Sequence, residues 1–139
     1  MVGTASRHFS SAALLALLVA PLSAQQPGDR LLICNKSADT VSVFDVVTRA
    51  EIATLPTGEA PHEIAVSPDG CTAVVTNYGR QRAGRTLTIL DVPGAAVRGT
   101  LRLADDQAPA PRPHGVAFAA EDLVWITAEA TQQLLQIDL

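Results

Sequence analysis

The sequence predicts an all-β chain made of β-propeller blades, each a small sheet of four antiparallel strands. Three observations predict it. Beyond the first 24 residues no helical period occurs; short β-branched runs are instead separated by Gly, Pro, Asn and Asp. The run Thr40-Val41-Ser42-Val43-Phe44-Asp45 matches Thr86-Leu87-Thr88-Ile89-Leu90-Asp91 in residue class at every position, 46 residues on. The run Pro61-His62-Glu63-Ile64-Ala65-Val66 matches Pro113-His114-Gly115-Val116-Ala117-Phe118, 52 residues on. Independent motifs that return in the same order every 40 to 50 residues or so are the mark of a blade repeat.

Residues 1–24 read as a secretory signal. Arg7 and His8 precede an apolar run over residues 12–19, and Pro21 leads to a Ser23-Ala24 exit with cleavage expected after Ala24. Leu22 is larger than the small residue usually found at that position. A membrane anchor is the alternative, but a spanning helix needs about 20 apolar residues and this run is shorter. No twin-arginine pair is present, and no later segment is apolar enough to cross a bilayer as a helix. Residues 25–139 are therefore expected in the periplasm or outside the cell as the propeller part, without a membrane span.

Composition narrows the partners. With 10 Lys+Arg against 14 Asp+Glu the formal charge is -4, which argues against a nucleic-acid module. A hydrophobic share of 47%, with 4% aromatic and 17% charged residues, excludes a disordered tail or a coiled coil.

The first blade is expected over about 31–56, opening with Leu31-Leu32-Ile33-Cys34-Asn35 and continuing through the Thr40 run. The second covers about 62–104. Its Pro-His strand ends in Ser67-Pro68-Asp69-Gly70, where Pro68 presets a turn and Gly70 accepts the positive φ that closes it. Ala73-Val74-Val75-Thr76-Asn77 follows, then the Thr86 run. The third starts at about 114, has the Gly-less turn Glu121-Asp122, continues with Leu123-Val124-Trp125-Ile126-Thr127 and stops at Ile137-Asp138-Leu139, where Gln136 breaks the alternation. Asp45, Asp91 and Asp138 recur at the end of the same strand and are expected to cap turns through backbone N–H groups. Trp125, in an apolar run, is expected in the core between blades. Cys34 reads as a small buried hydrophobe and Cys71 follows a turn; whether they are bridged is open, because a disulfide needs Cα atoms within about 7 Å.

Val75-Thr76-Asn77, the Thr-Val-Ser-Val-Phe-Asp run, Ala60-Pro61 and Ala65-Val66-Ser67-Pro68-Asp69-Gly70 resemble the YVTN-type (40-residue) β-propeller repeat of exported bacterial proteins. The resemblance covers residues 31–139. Cys34 stands in the Thr column of the first copy and Ala128 in the Asn column of the third. It implies a propeller and no particular activity. At about 45 residues per blade, residues 25–139 supply about two and a half blades, whereas closed rings have about four to eight. The expectation is an N-terminal piece of a longer ring; the alternative is assembly of several chains into one.

Strand parity places the loop leading into the innermost strand on the same face as the loop joining strands two and three. His62 and His114 then border the central channel, together with the 78–85 loop that carries Arg80, Arg82 and Arg85. The two imidazoles are candidate ligand-binding groups, able in principle to ligate a metal or haem iron or to transfer protons. The more ordinary reading is that each His follows a Pro in a repeated turn and hydrogen-bonds a neighbouring loop. No metal site is assigned, because two His without a third ligand or carboxylate at matching spacing do not make one, and equivalent positions on adjacent blades are expected on the order of 10 Å apart. The three arginines are candidates for phosphate or carboxylate recognition. No cofactor is specified.

The function expected is an exported binding scaffold that takes a small ligand or a partner protein at its channel face. Two alternatives come from resemblance. Propeller lactonases of the 6-phosphogluconolactonase type are similar in their Pro-His strand starts and Pro-Asp-Gly turns, implying a hydrolase. The propeller of cytochrome d1-type nitrite reductases is similar in its channel histidines, implying haem binding. No Cys-x-x-Cys-His haem-attachment motif is present.

Overall fold

The computed structural model describes residues 28–139; the expected signal at 1–24 lies outside the described residues. Alternation decides which side chains meet. In β1 (Arg30–Asn35), β2 (Thr40–Asp45) and β3 (Glu51–Pro56) burial favours alternate residues, whereas β4 (Pro61–Val66), β5 (Thr72–Asn77), β6 (Thr86–Asp91) and β7 (Ala96–Arg102) form a sheet covered on both faces, most completely in β5, where Ala73 to Asn77 are all buried. The last group is β8 (Pro113–Ala120), β9 (Leu123–Ala128), a three-residue 3₁₀ turn at Glu129–Thr131, and β10 (Gln133–Asp138).

The strands form three antiparallel sheets: β1-β2-β3, β4-β5-β6-β7, and β8-β9-β10. Four strands were expected in each unit, and only the middle sheet has them among the described residues. The sheets stack with the middle one between its neighbours. Val41, Val43 and Leu55 of the first sheet pack on Ala73, Val75 and Leu90 of the second, with Val92 at the rim of this seam. On the opposite face of the same middle sheet, Val74 and Leu87 pack on Val124 and Ile126 of the third. Each of these buried Val, Leu or Ile side chains contributes about 1.5–3 kcal/mol relative to exposure.

The repeat extends to its irregularities. The β2–β3 ladder slips between Val43 and Phe44, and the β6–β7 ladder slips at the equivalent step between Ile89 and Leu90. Likewise the β4–β5 register shifts between Pro61 and Ile64, and the β8–β9 register between Pro113 and Val116. These last interruptions, at His62-Glu63 and His114-Gly115, carry the site described below.

Turn chemistry explains most of the connections. Gly70 has φ 74°, its N–H donates to the Ser67 carbonyl at 2.9 Å, and Asp69 Oδ1 accepts the Cys71 N–H at 2.9 Å. Asp45 Oδ1 accepts the N–H groups of Val47 and Thr48 at 3.0 and 2.8 Å, and its other oxygen pairs with Arg30 at 3.1 Å. Asp91 and Asp138, expected to cap in the same way, make no such side-chain bond among the described residues. Asp91 instead lies against Gly94, so closely that a Cβ there would collide with its Oδ2.

Trp125, expected between blades, is not covered by any of the described sheets. Val124, Ile126 and Ala128 of β9 turn inward, so Trp125 falls on the outer face of the third sheet, 37% exposed, near the 62%-exposed Leu134. Leu31 and Ile33 hold the corresponding outer position on the first sheet. A tryptophan in a β-branched run is core only if the face it occupies is covered, and here the covered face is the alternate one.

Candidate functional site

Two backbone irregularities build the site. Ala60 and Arg112, each just before a Pro-His pair, adopt positive φ of 53° and 54°. Where the β4–β5 and β8–β9 ladders then lapse, a threonine hydroxyl replaces the missing backbone partner. Thr76 Oγ1 accepts the Glu63 N–H at 3.0 Å, and Thr127 Oγ1 accepts the Gly115 N–H at 2.7 Å. Thr76, fully buried, also donates to the His114 carbonyl at 2.7 Å and so ties the second sheet to the third. The threonine column of the repeat thus sets the two Pro-His strands side by side.

The consequence is a close pair of imidazoles on one face. The ring centroids of His62 and His114 lie 4.2 Å apart, with Tyr78 at 4.9 Å from the first and 5.5 Å from the second. The spacing of about 10 Å expected from sheet packing is corrected: the two side chains, each at a ladder interruption, meet ring to ring. Glu63 joins them, its Oε1 being 3.5 Å from His114 Nδ1. One ligand atom from each of His62, Glu63 and His114 falls within a mutual separation of 4.8 Å, so the ground for assigning no metal site disappears.

Positive charge gathers around the tyrosine. Lys36 Nζ and Arg112 Cζ each lie over the Tyr78 ring, both 4.8 Å from its centroid, and the Tyr78 hydroxyl donates to the Glu129 carboxylate at 3.0 and 3.1 Å. Lys36, Tyr78 and Glu129 are the residues that follow Asn35, Asn77 and Ala128, the ends of equivalent strands. Sequence reasoning passes over this column because its three members share no chemistry. The signal available is position alone: the residue after each equivalent strand, on the face that parity assigns to the histidines.

Burial first, and then the Lys36 and His114 charges, hold His62 below the usual imidazole value, and its buried Nδ1 has no hydrogen-bond partner among the described residues. His62 is therefore set up as a neutral base with an unused lone pair or N–H.

The three arginines are not gathered as an anion site. Arg80 grips Asp39 with both guanidinium nitrogens at 3.1 and 2.8 Å, pairs with Glu59 at 3.3 Å, and donates to the carbonyls of Lys36 and Ser37. Arg85 donates to the carbonyls of Asp105 and Ala108. Arg82 alone is exposed without a partner among the described residues. Arg80 and Arg85 therefore hold loops in place, whereas Arg112, outside the 78–85 loop, stands at the histidines.

Cys34 and Cys71 are free, one half-buried and the other exposed. Burial, with a smaller contribution from the Glu63 charge, pushes the Cys34 thiol up to about 11, so it stays protonated and inert at neutral pH. An open cleft of about 390 Å³ runs from His114 past Thr127, Glu129, Gln132 and Gln133 to Leu134, giving the site a flank that a small molecule could occupy.

No protein-family model matches the chain, and no curated protein matches it. Solved structures do. The chain is similar to hydrazine synthase of Kuenenia stuttgartiensis with a TM-score of 0.64 and 24% identity, over 78% of this chain and 30% of that one. It is similar to apo AztD of Citrobacter koseri (TM-score 0.55, 18% identity, 72% and 26% covered). It is also similar to a protein of unknown function from Desulfotomaculum acetoxidans (TM-score 0.58, 18% identity, 80% and 38% covered). At these identities the likeness is one of fold: small antiparallel sheets stacked as in a propeller. The chain spans 30%, 26% and 38% of the lengths of these structures.

Proposed function

We propose that the chain is part of an exported β-propeller of the YVTN-repeat type that serves as a binding scaffold, with a small anionic ligand held at the face formed by His62, Tyr78 and His114. The observation that carries this reading is the cationic rim. Lys36 and Arg112 flank Tyr78 beside a pair of imidazoles, an arrangement that offers charge-assisted donors and an aromatic surface to a carboxylate or phosphate. Two further observations support the larger ring. Apolar side chains lie on the outer faces of both flanking sheets, Leu31 and Ile33 on one and Trp125 and Leu134 on the other, where an adjoining blade would cover them. The similar structures are also longer than this chain by more than a factor of two.

The test is titration of the full chain, stripped with chelator, with inorganic phosphate and with succinate, followed by calorimetry. Binding of one of the two anions, weakened about tenfold or more in Lys36→Met and Arg112→Met, is the expected result. Absence of binding for both anions, or binding unchanged in both variants, overturns the reading.

A further inference from the structure

The geometry points to a divalent transition-metal site formed by His62, Glu63 and His114, with one coordination position left open, beside the rim where Lys36 and Arg112 stand. This deepens the reading of the same face as a ligand site and rests on it for the identity of the ligand that completes the metal's shell.

The donor set comes first. Two imidazoles and one carboxylate are the nitrogen and oxygen ligands that suit zinc, cobalt, copper or iron, and a three-ligand set leaves a position free for water or an exogenous ligand. The distances follow. Ligands held about 2.1 Å from a tetrahedral ion are about 3.4 Å from one another, and His114 Nδ1 stands 3.5 Å from Glu63 Oε1. The remaining donor atoms lie within 4.8 Å of one another, so holding one ion requires the half-exposed Glu63 and His114 side chains to draw closer. All three side chains are only part-buried, so an ion can reach them.

Preorganisation comes from the backbone. His62 and Glu63 sit in the lapse of the β4–β5 ladder, and His114 in the lapse of the β8–β9 ladder. Thr76 bonds to the Glu63 N–H and the His114 carbonyl, fixing two ligand-bearing residues from different sheets with one buried hydroxyl. The orphaned His62 Nδ1 marks a polar atom removed from water with no protein partner among the described residues; such an atom is costly unless something else satisfies it. Gly115 stands where the second repeat would otherwise carry the counterpart of Glu63, and a Cβ there would come within 3.6 Å of Glu63 Oε2. The site accordingly has one carboxylate rather than two.

Charge identifies the ligand of the open position. A divalent ion with one carboxylate retains a positive charge, and Lys36 and Arg112 add two more beside Tyr78, whose hydroxyl bonds the single Glu129 carboxylate. Such a centre favours an anion, whose oxygen can meet the metal while its remaining charge faces the two cations.

The test uses the full chain after chelator treatment and dialysis. Cobalt(II) is added with no phosphate or carboxylate present, and the visible d–d absorption is followed; zinc is then used to displace it, with calorimetry for stoichiometry. The expected result is one equivalent bound with the intense bands of four- or five-coordinate cobalt, and affinity about 10- to 100-fold weaker in His62→Ala, His114→Ala and Glu63→Gln. Circular dichroism checks that each variant is folded, and the near-isosteric Glu63→Gln preserves the test if a histidine variant is not. No saturable cobalt spectrum, or a spectrum unchanged in Glu63→Gln and in a folded histidine variant, overturns the metal site. Failure here with phosphate or succinate still bound by the chelated protein removes the metal alone. Cobalt binding without anion binding removes the anion reading and leaves the metal.

Discussion

Asn77 Oδ1 accepts the backbone N–H of Gly58 at 3.1 Å, joining the segment that leaves the first sheet to the end of the second strand of the next. The amide nitrogen of Asn77 donates to Thr86 and Thr88 hydroxyls at 2.9 and 3.0 Å, and a Cβ at Gly58 would strike this amide at 2.6 Å. Asn35 makes the corresponding bonds in the first sheet, donating to Thr40 and Ser42 at 3.1 and 2.9 Å. The asparagine column therefore serves a sheet-crossing hydrogen-bond network. In the third sheet, where Ala128 stands in that column, the network is missing.

Replacing Asn77 by Ala, at a position that is 1% exposed, leaves the Gly58 N–H only its longer bond to Thr88 Oγ1 at 3.3 Å and removes the amide partner of the Thr86 and Thr88 hydroxyls. A loss of about 1–3 kcal/mol is expected in urea denaturation. Gly58→Ala should be destabilising through the same contact, and an Asn77→Ala chain as stable as the parent would remove the network's structural role.

Arg80 gives the fold a pH dependence at its acid limb. Its hydrogen bonds, followed by that of the Ala60 N–H, hold the Asp39 carboxyl below the ordinary carboxylate value. Because the folded-state pKa is the lower one, the stabilisation is present above the unfolded value of about 3.9 and is lost as pH falls through the folded value. Arg80→Ala should raise the Asp39 pKa measured by NMR, and the stability gap between parent and variant should narrow below about pH 4. A gap independent of pH across that range would show that the ion pair contributes nothing to linkage.

Leu90 and Leu87 lie on the same strand but fill opposite seams, the first against the first sheet and the second against the third. Each Leu→Ala change is expected to cost about 2–5 kcal/mol. Native-state hydrogen exchange should then accelerate in β1–β3 for Leu90→Ala and in β8–β10 for Leu87→Ala. Equal acceleration in both flanking sheets would mean that the seams do not open independently.

From the amino-acid order alone come the all-β character, the strand alternation, the Pro-Asp-Gly turn and the placement of both histidines after a proline in one repeated position. These are local properties: period two, turn residues and recurrence are written in neighbouring side chains. Which face of β9 the middle sheet covers is not local, so the apolar run alone does not tell that Val124 and Ile126, and not Trp125, meet that sheet. Nor is the fate of the arginines, since Arg80 meets Asp39 and Glu59 only because loops 20 to 40 residues or so apart in sequence converge in the stack. The distance between His62 and His114 depends on two ladder interruptions and on the Thr76 hydroxyl that bridges adjacent sheets. Tertiary structure alone settles it, because a few ångströms of strand displacement separate two solitary imidazoles from a pair that can share one ligand.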